Sequence, residues 1–340
     1  MNQDFLCYCE KLYLERYRNE EITYHTWYNA QSTFRDFRQF CLSVLQVESV
    51  SLEQIGPGFL QQYKLYCVGK GNSTATVNRK LVPFMVSIRQ AVEEGLLPGP
   101  SYAQLKQAYF PGRKRRYGPE ACRLSAEEGE PVRHLSDTQI RQLLEWYDKV
   151  ASPGGRRVLD LFFFSFHACG LRISDIVTLE WAHVDFAQAR LQKLSVKSKA
   201  LITIPLSDPA LEILRRWQDK GPGGRFVFDL LPDGFDLTDD EKLSRVTDSR
   251  NHSIRVALNR IGRRLGFPFP LSMHVARHTF AVKALNEGKV SVHLISRLLG
   301  HTSVLVTEKV YARFLLQTLR SEVREKLSFF DFSLQNTMKI

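Results

Sequence analysis

Between Pro111 and Pro131 apolar periodicity fades, and this gap constrains the fold more than any other feature of the chain. The segment holds glycine, proline and the run Arg113-Lys114-Arg115-Arg116. A stretch without a repeating apolar face has nothing to bury, so it reads as a linker. A chain of 340 residues is long for one core and comfortable for two. The expected division is a first domain over 1–110, a basic linker over 111–133, a second domain over 134–325, and a tail over 326–340.

The first domain reads as all helical. From Tyr24 to Val44, apolar residues fall at Trp27, Phe34, Phe37, Cys41 and Val44, close to helical spacing. Ser51-Leu52-Glu53-Gln54 has the pattern of a capping box opening a further helix. Phe59 to Val68 and Ser73 to Glu94 continue the helical pattern, which ends at Gly95 to Pro100. About four helices are expected.

In the second domain, Ser136 is an N-cap candidate for a helix through Val150, and Leu159 to Cys169 reads as a buried helix. Asp175 to Leu179 suggests a short one. Ala189 to Leu206 alternates as a strand pair turning near Val196-Lys197-Ser198-Lys199, with Ile202 and Ile204 on one face and Thr203 on the other. Further helices are expected over Pro209 to Gln218, Arg250 to Leu265, Val275 to Glu287, Ser291 to Leu299 and Val304 to Ser321. Asp239-Asp240-Glu241 is expected to face solvent. The fold class is therefore mainly α with a small antiparallel β-sheet.

Composition narrows the partner. Lys plus Arg number 47 against 36 Asp plus Glu, with a pI near 9.4, so a polyanion, nucleic acid first, is favoured. No signal peptide is expected, because Met1 to Glu10 lacks an apolar core. Leu159 to Ala168 is too short to span a bilayer and is broken by Ser165 and His167. The six cysteines, Cys7, Cys9, Cys41, Cys67, Cys122 and Cys169, are scattered and form no zinc pattern, which suits reduced thiols in the cytoplasm.

Three segments carry chemistry. Gly170-Leu171-Arg172 places an arginine after a helix-ending glycine, with Asp175 three residues on to buttress it. His274-Val275-Ala276-Arg277-His278 places an acid–base group and a fixed cation on one helix face, an arrangement suited to a phosphate in transition. His274 and His278, four apart, would also suit a shared metal, but no glutamate follows His274, so the His-Glu-x-x-His pattern is absent. Leu299-Gly300-His301 breaks a helix ten residues before Tyr311. A lone tyrosine on an amphipathic helix is usually core, and only the conjunction of two arginines, histidines, a turn lysine and a downstream tyrosine changes that.

With these residues in view, the chain resembles the tyrosine recombinases of the phage integrase family. The matching positions are Gly170-Leu171-Arg172, Lys197, His274-x-x-Arg277, Leu299-Gly300-His301 and Tyr311, and their spelling is most similar to integrases of Bacteroides-type bacteria and their mobile elements. Asp175 stands where much of the family has Glu. The resemblance implies a helical, SAM-like core-binding domain followed by a catalytic domain, with no arm-binding domain ahead of it. It implies a site-specific recombinase that joins DNA through a 3′-phosphotyrosyl intermediate, with no cofactor, metal or ATP. Arg172 and Arg277 would donate to the phosphate, Tyr311 would attack, and His274 would take its proton. Lys197 would protonate the leaving 5′ oxygen, and His301 would bond the phosphate. The alternative is a catalytically silent DNA-binding protein of the same fold.

The expected partner is double-stranded DNA, gripped through Arg35 and Arg38, through Asn78, Arg79 and Lys80, and through Arg113, Lys114, Arg115 and Arg116. A homotetramer on two sites is implied, with monomer or dimer off DNA and no membrane. The apolar tail cluster of Leu327, Phe329, Phe330, Phe332 and Leu334 is expected either to fold back on its own domain or, as the resemblance implies, to dock on a neighbouring protomer. The short N-terminal region favours simple-site recombination such as inversion.

Overall fold

The computed structural model describes residues 3–109, 132–149, 152–219, 224–288, 290–301, 303–308, 310, 311 and 314. The basic run Arg113 to Arg116 and the tail 326–340 lie outside these. The chain divides into two compact units, one of residues 1–117 with 240–244 and the other of 118–239 with 245–340.

Among the described residues of 1–117 the first unit has the α-helices α1 (Phe5–Arg18), α2 (Tyr24–Phe40), α3 (Pro57–Gly69), α4 (Thr74–Glu93) and α5 (Pro100–Tyr109). Asp4, Thr23 and Ser73 cap the first turns of α1, α2 and α4 by accepting backbone N–H groups, and Pro57 opens α3 where its missing N–H costs nothing. Helices α1 and α5 are additional to the expected ones. Ser51 and Gln54 do form a reciprocal capping box, but around a single 3₁₀ turn, Leu52–Gln54, rather than an α-helix. The core is aromatic: Phe5, Phe34, Phe37, Phe40, Tyr63 and Phe84 are buried, with the Phe37 and Phe84 rings 4.7 Å apart between centroids.

The second unit begins with α6 (Asp137–Lys149) and α7 (Pro153–His167), followed by the short α8 (Ile173–Val177). Ser136 caps α6, its Oγ accepting from Gln139 N while Gln139 returns the bond to Ser136 N. A three-stranded antiparallel sheet, in the order β1 (Val184–Asp185), β2 (Arg190–Leu194) and β3 (Leu201–Pro205), precedes α9 (Asp208–Gln218). The two-residue β1 is additional to the expected pair. Alternation is as anticipated: Ile202 and Ile204 face the core, while Leu201, Thr203 and Pro205 face out. Strand β2 breaks the rule that core positions are apolar, because Lys193 lies on its buried face beside Leu191.

Helices α10 (Asp240–Arg264), of which 245–264 belong to this unit, α11 (Met273–Asn286) and α12 (Val292–Leu298) follow, and residues 304–308, 310, 311 and 314 are helical. Helix α10 starts ten residues earlier than expected (250 − 240). Asp239, Asp240 and Glu241 are half-buried rather than solvent-facing. The core of this unit packs α7 against α11 and α9, with Phe162, Phe164, Leu214, Phe228 and Leu258 at its centre. Buried Asp160 of α7 accepts from Tyr147, Arg216 and Trp217, which ties α6, α7 and α9 together.

Candidate active site

Two glycines bring both arginines to one place. Gly170 ends the turn after α7 with φ +74°, a conformation that costs glycine little. A Cβ there would stand 3.1 Å from Arg277 Cγ and 3.0 Å from Leu299 Cδ2, so only glycine admits the arginine stem. Gly300, at φ +61°, ends α12 in the same way, with Arg172 Nη1 3.3 Å from where its Cβ would be. The motif glycines are therefore the surfaces against which the guanidinium groups lie.

Arg277 of α11 is buried. Its Nη1 donates to Gly170 O at 2.7 Å, and its Nη2 donates to Leu299 O at 2.6 Å and to His301 Nε2 at 3.0 Å. Arg172, the N-cap of α8, donates from Nη2 to Gly300 O at 3.2 Å. The two side chains thus end on adjacent carbonyls, at the end of α12 where the helix dipole is negative. Among the described residues neither arginine is paired with a carboxylate. Burial, then the charge of Arg172, lowers the Arg277 pKa to about 10, so it stays charged at neutral pH. A guanidinium has five N–H donors. Arg277 uses three in the contacts above and retains two for an incoming anion.

The histidines are neutral at pH 7. Burial, followed by Arg277, Arg172 and Lys197, pushes His301 down to about 4. Because Arg277 only donates, His301 Nε2 accepts, and the proton sits on Nδ1, which donates to Thr307 Oγ1 at 2.7 Å. The expected His301–phosphate bond therefore requires Nε2 to leave Arg277 and acquire a proton. His274 is on the exposed side of α11, its pKa lowered by the surrounding protein and then by Arg277, Lys197 and Arg172.

Tyr311 is placed differently from the expectation. It is 1% exposed, packed among Ala281, Val282, Leu285, Ile295 and Leu299, and its hydroxyl bonds His278 Nδ1 at 2.8 Å. The partner is thus His278 and not His274, whose ring stacks edge-on against His278 with centroids 5.3 Å apart. Burial raises the phenol to about 12 while Arg277 opposes it, and burial with His274 and Arg277 lowers His278 to about 4. The stable pair is a protonated phenol donating to a neutral imidazole.

Asp175 does not bond Arg172. Its Oδ1 accepts Val196 N–H at 2.7 Å and its Oδ2 accepts from Ser195 Oγ at 3.3 Å, so it holds the turn between β2 and β3. Lys197 sits exposed on that turn, close enough for its charge to depress His274 and His301. His278 and Thr307 were not given site roles from the sequence. His278 carried a signal, being four residues from His274 and next to Arg277. Thr307 carried none. No three His, Cys, Asp or Glu side chains converge in a metal-holding group among the described residues. No described helix is long and apolar enough to cross a membrane.

The first unit sorts its basic residues. Arg35 and Arg79 are exposed. Arg38 pairs with Glu10 at 2.9 Å, and half-buried Lys80 pairs with Asp36 at 2.7 Å, where Lys70 and Tyr63 also converge. Asn78 is half-buried. Arg38 stays exposed beside Glu10, whereas the Lys80 ammonium is held by Asp36.

Paired arginines with no counter-carboxylate among the described residues, neutral histidines and a tyrosine on one unit are groups suited to phosphoryl transfer. Residues 133–317 match the phage integrase family and residues 4–108 match the phage integrase SAM-like domain. The chain belongs to the phage integrase family and is a tyrosine recombinase. It is 24% identical over 281 residues to tyrosine recombinase XerC of Chlorobaculum parvum, covering 77% of this chain and 76% of that one. It is 30% identical over 206 residues to tyrosine recombinase XerD of Pseudomonas putida, covering 57% and 63%. The Tn1549 transposon integrase in complex with transposon right end DNA shares the fold, with a TM-score of 0.67 at 15% identity over 94% of this chain and 99% of that one. A lambda integrase tetramer bound to a Holliday junction does so at 0.56 and 18%, over 88% and 76%.

Proposed function

We propose that this recombinase cleaves duplex DNA at a specific site through a 3′-phosphotyrosyl intermediate formed on Tyr311. Arg172 and Arg277 neutralise the non-bridging oxygens, each able to contribute a few kcal/mol in the transition state. The phenol oxygen attacks phosphorus, and its proton passes to His274. The bond to the 5′ oxygen breaks, and Lys197 supplies that oxygen's proton. The phosphodiester energy is retained in the new ester, so the freed 5′-hydroxyl, or that of a partner strand, reverses the step without ATP. The observation that carries the reading is the pair of adjacent guanidinium groups with no carboxylate partner among the described residues, in the unit that also holds Tyr311.

Tyr311 is sealed from solvent, so it must leave His278 to reach a phosphate. We read the His278-bound state as the resting one. Exposed Arg35 and Arg79 are read as phosphate contacts, to which Arg113 to Arg116 would add. Four copies acting on two sites is the assembly we infer, and a lambda integrase tetramer bound to a Holliday junction supports it.

A duplex nicked close to the cleavage position traps the covalent complex, because the short 5′ fragment diffuses away. Wild-type protein gives a covalent protein–DNA band in EDTA, and Tyr311→Phe gives none. Sequence-specific binding without any covalent band would instead mark a silent DNA-binding protein.

A further inference from the structure

Three lysines cluster around the β2–β3 hairpin, and they occupy different environments. Lys197 is exposed on the turn. Lys199 holds the left-handed turn position, φ +53°, its N–H closing on Ser195 O at 2.9 Å. Lys193 is 4% exposed, on the core face of β2. Its Nζ donates to Asp175 O at 2.8 Å, Thr178 O at 3.2 Å and Thr178 Oγ1 at 2.6 Å. An ammonium has three protons, and these three acceptors use them all, so Lys193 has none left for a substrate oxygen.

All three contacts fall on one short element and its exit. Helix α8 has Arg172 as its N-cap, Asp175 in its first turn, and Thr178 as its C-cap. Asp175 bonds the hairpin at Ser195 and Val196, immediately before Lys197. Lys193 bonds the main chain of the same Asp175 and closes the end of the helix. The hairpin is thus pinned to α8 at two levels, by the Asp175 carboxylate above and by the Lys193 ammonium below. The buried cation also faces the Asp175 carboxylate and, beyond the helix, Glu180 and His183. A buried charge is costly unless paired and fully bonded, and an apolar residue at this β2 position would pack without that cost.

We propose that Lys193 is a positioning residue that holds the β2–β3 turn against α8, and so sets Lys197 over the leaving 5′ oxygen in register with Arg172. This rests on the reading of Lys197 as the general acid.

The test uses the full-length protein and two nicked duplexes, one with an ordinary scissile phosphate and one with sulfur in place of the bridging 5′ oxygen. A thiolate leaves without being protonated, so the sulfur substrate bypasses the acid. General acid catalysis contributes on the order of 10²- to 10⁴-fold. Lys193→Met, which keeps the length and packing of the stem, is expected to slow cleavage of the ordinary substrate by about 10- to 100-fold. On the sulfur substrate its rate returns to within about 3-fold of wild type, as does that of Lys197→Ala. Thr178→Val removes one acceptor at little change in shape and gives a smaller defect with the same rescue, which keeps the test open should Lys193→Met not fold. If Lys197→Ala is rescued while folded Lys193→Met or Thr178→Val is slowed equally on both substrates, Lys193 does not act through Lys197 and the proposal fails. Wild-type rates for both of those variants on the ordinary substrate also overturn it. If Lys197→Ala itself is not rescued, the assignment of the acid is what fails.

Discussion

Replacing each arginine by lysine separates what the two contribute to folding from what they contribute to chemistry. Arg277 is buried and donates to two main-chain carbonyls, Gly170 O and Leu299 O, at 2.7 and 2.6 Å. Hydrogen bonds from charged groups contribute about 1.5–3 kcal/mol each, and a lysine ammonium at this position reaches only one of the two carbonyls. Arg277→Lys is therefore expected to cost about 3 kcal/mol once the orphaned carbonyl is included. Arg172 is half-buried and makes one such bond, at 3.2 Å, so Arg172→Lys costs about 1 kcal/mol. For a unit of this size the difference of about 2 kcal/mol separates the two melting temperatures by about 4–8 °C. Both variants lose the fork that grips phosphate, and both fall at least about 100-fold in covalent capture of a nicked duplex. Calorimetry of the two variants beside wild type reads the first quantity, and gel analysis the second. Equal melting temperatures would refute the assignment of Arg277 as the structural centre of the site, whatever happened to cleavage.

Acid is expected to destabilise the second unit between pH 6.5 and 4. His278 and His301 titrate near 4 when folded and near 6.5 when unfolded, so below 6.5 the unfolded chain takes up protons that the folded site refuses. The stabilisation is complete above 6.5 and lost towards 4. Allowing for solvent screening it amounts to about 3 kcal/mol for the pair, and denaturant midpoints at pH 7 and 4.5 that coincide would contradict it. His278→Phe leaves the seated Tyr311 hydroxyl without an acceptor, at about 1–3 kcal/mol, and so favours the released tyrosine. Covalent capture should quicken several-fold, whereas a 100-fold loss would assign the proton transfer to His278. Arg79→Ala should lower the salt dependence of DNA binding by about one phosphate contact. Lys80→Met should leave that slope unchanged and instead lower stability, since Lys80 serves Asp36; the reverse pattern would exchange their roles.

The sequence made the catalytic spelling legible because each motif element is local. Gly170 and Gly300 are punctuation, Arg172 follows one of them, and the β2–β3 turn is flanked by alternating residues. The choice of partners was not legible, because it depends on which distant segments come back. Tyr311 meets His278 rather than His274 only because of where the chain after α12 packs on α11, and the two histidines are one helical turn apart. Asp175 looked like a brace for Arg172 at three residues' spacing, yet its carboxylate turns to Ser195 and Val196, twenty and twenty-one residues on. Lys193 shares the buried face of β2 with Leu191 although its charge suits solvent, and the three acceptors from α8 and its cap, which only the fold brings there, resolve the conflict. The pairing of Lys80 with Asp36 and of Arg38 with Glu10 was not legible either, because the partners are 44 and 28 residues away.

The central claim is that one tyrosine among twelve attacks DNA. Proteolysis of the trapped complex, followed by mass spectrometry of the nucleotide-bearing peptide, tests it most directly. The account predicts a single adduct, on Tyr311, joined to a 3′-phosphate with a free 5′-hydroxyl on the other strand end. An adduct on any other residue, or a link to the 5′-phosphate, would contradict it.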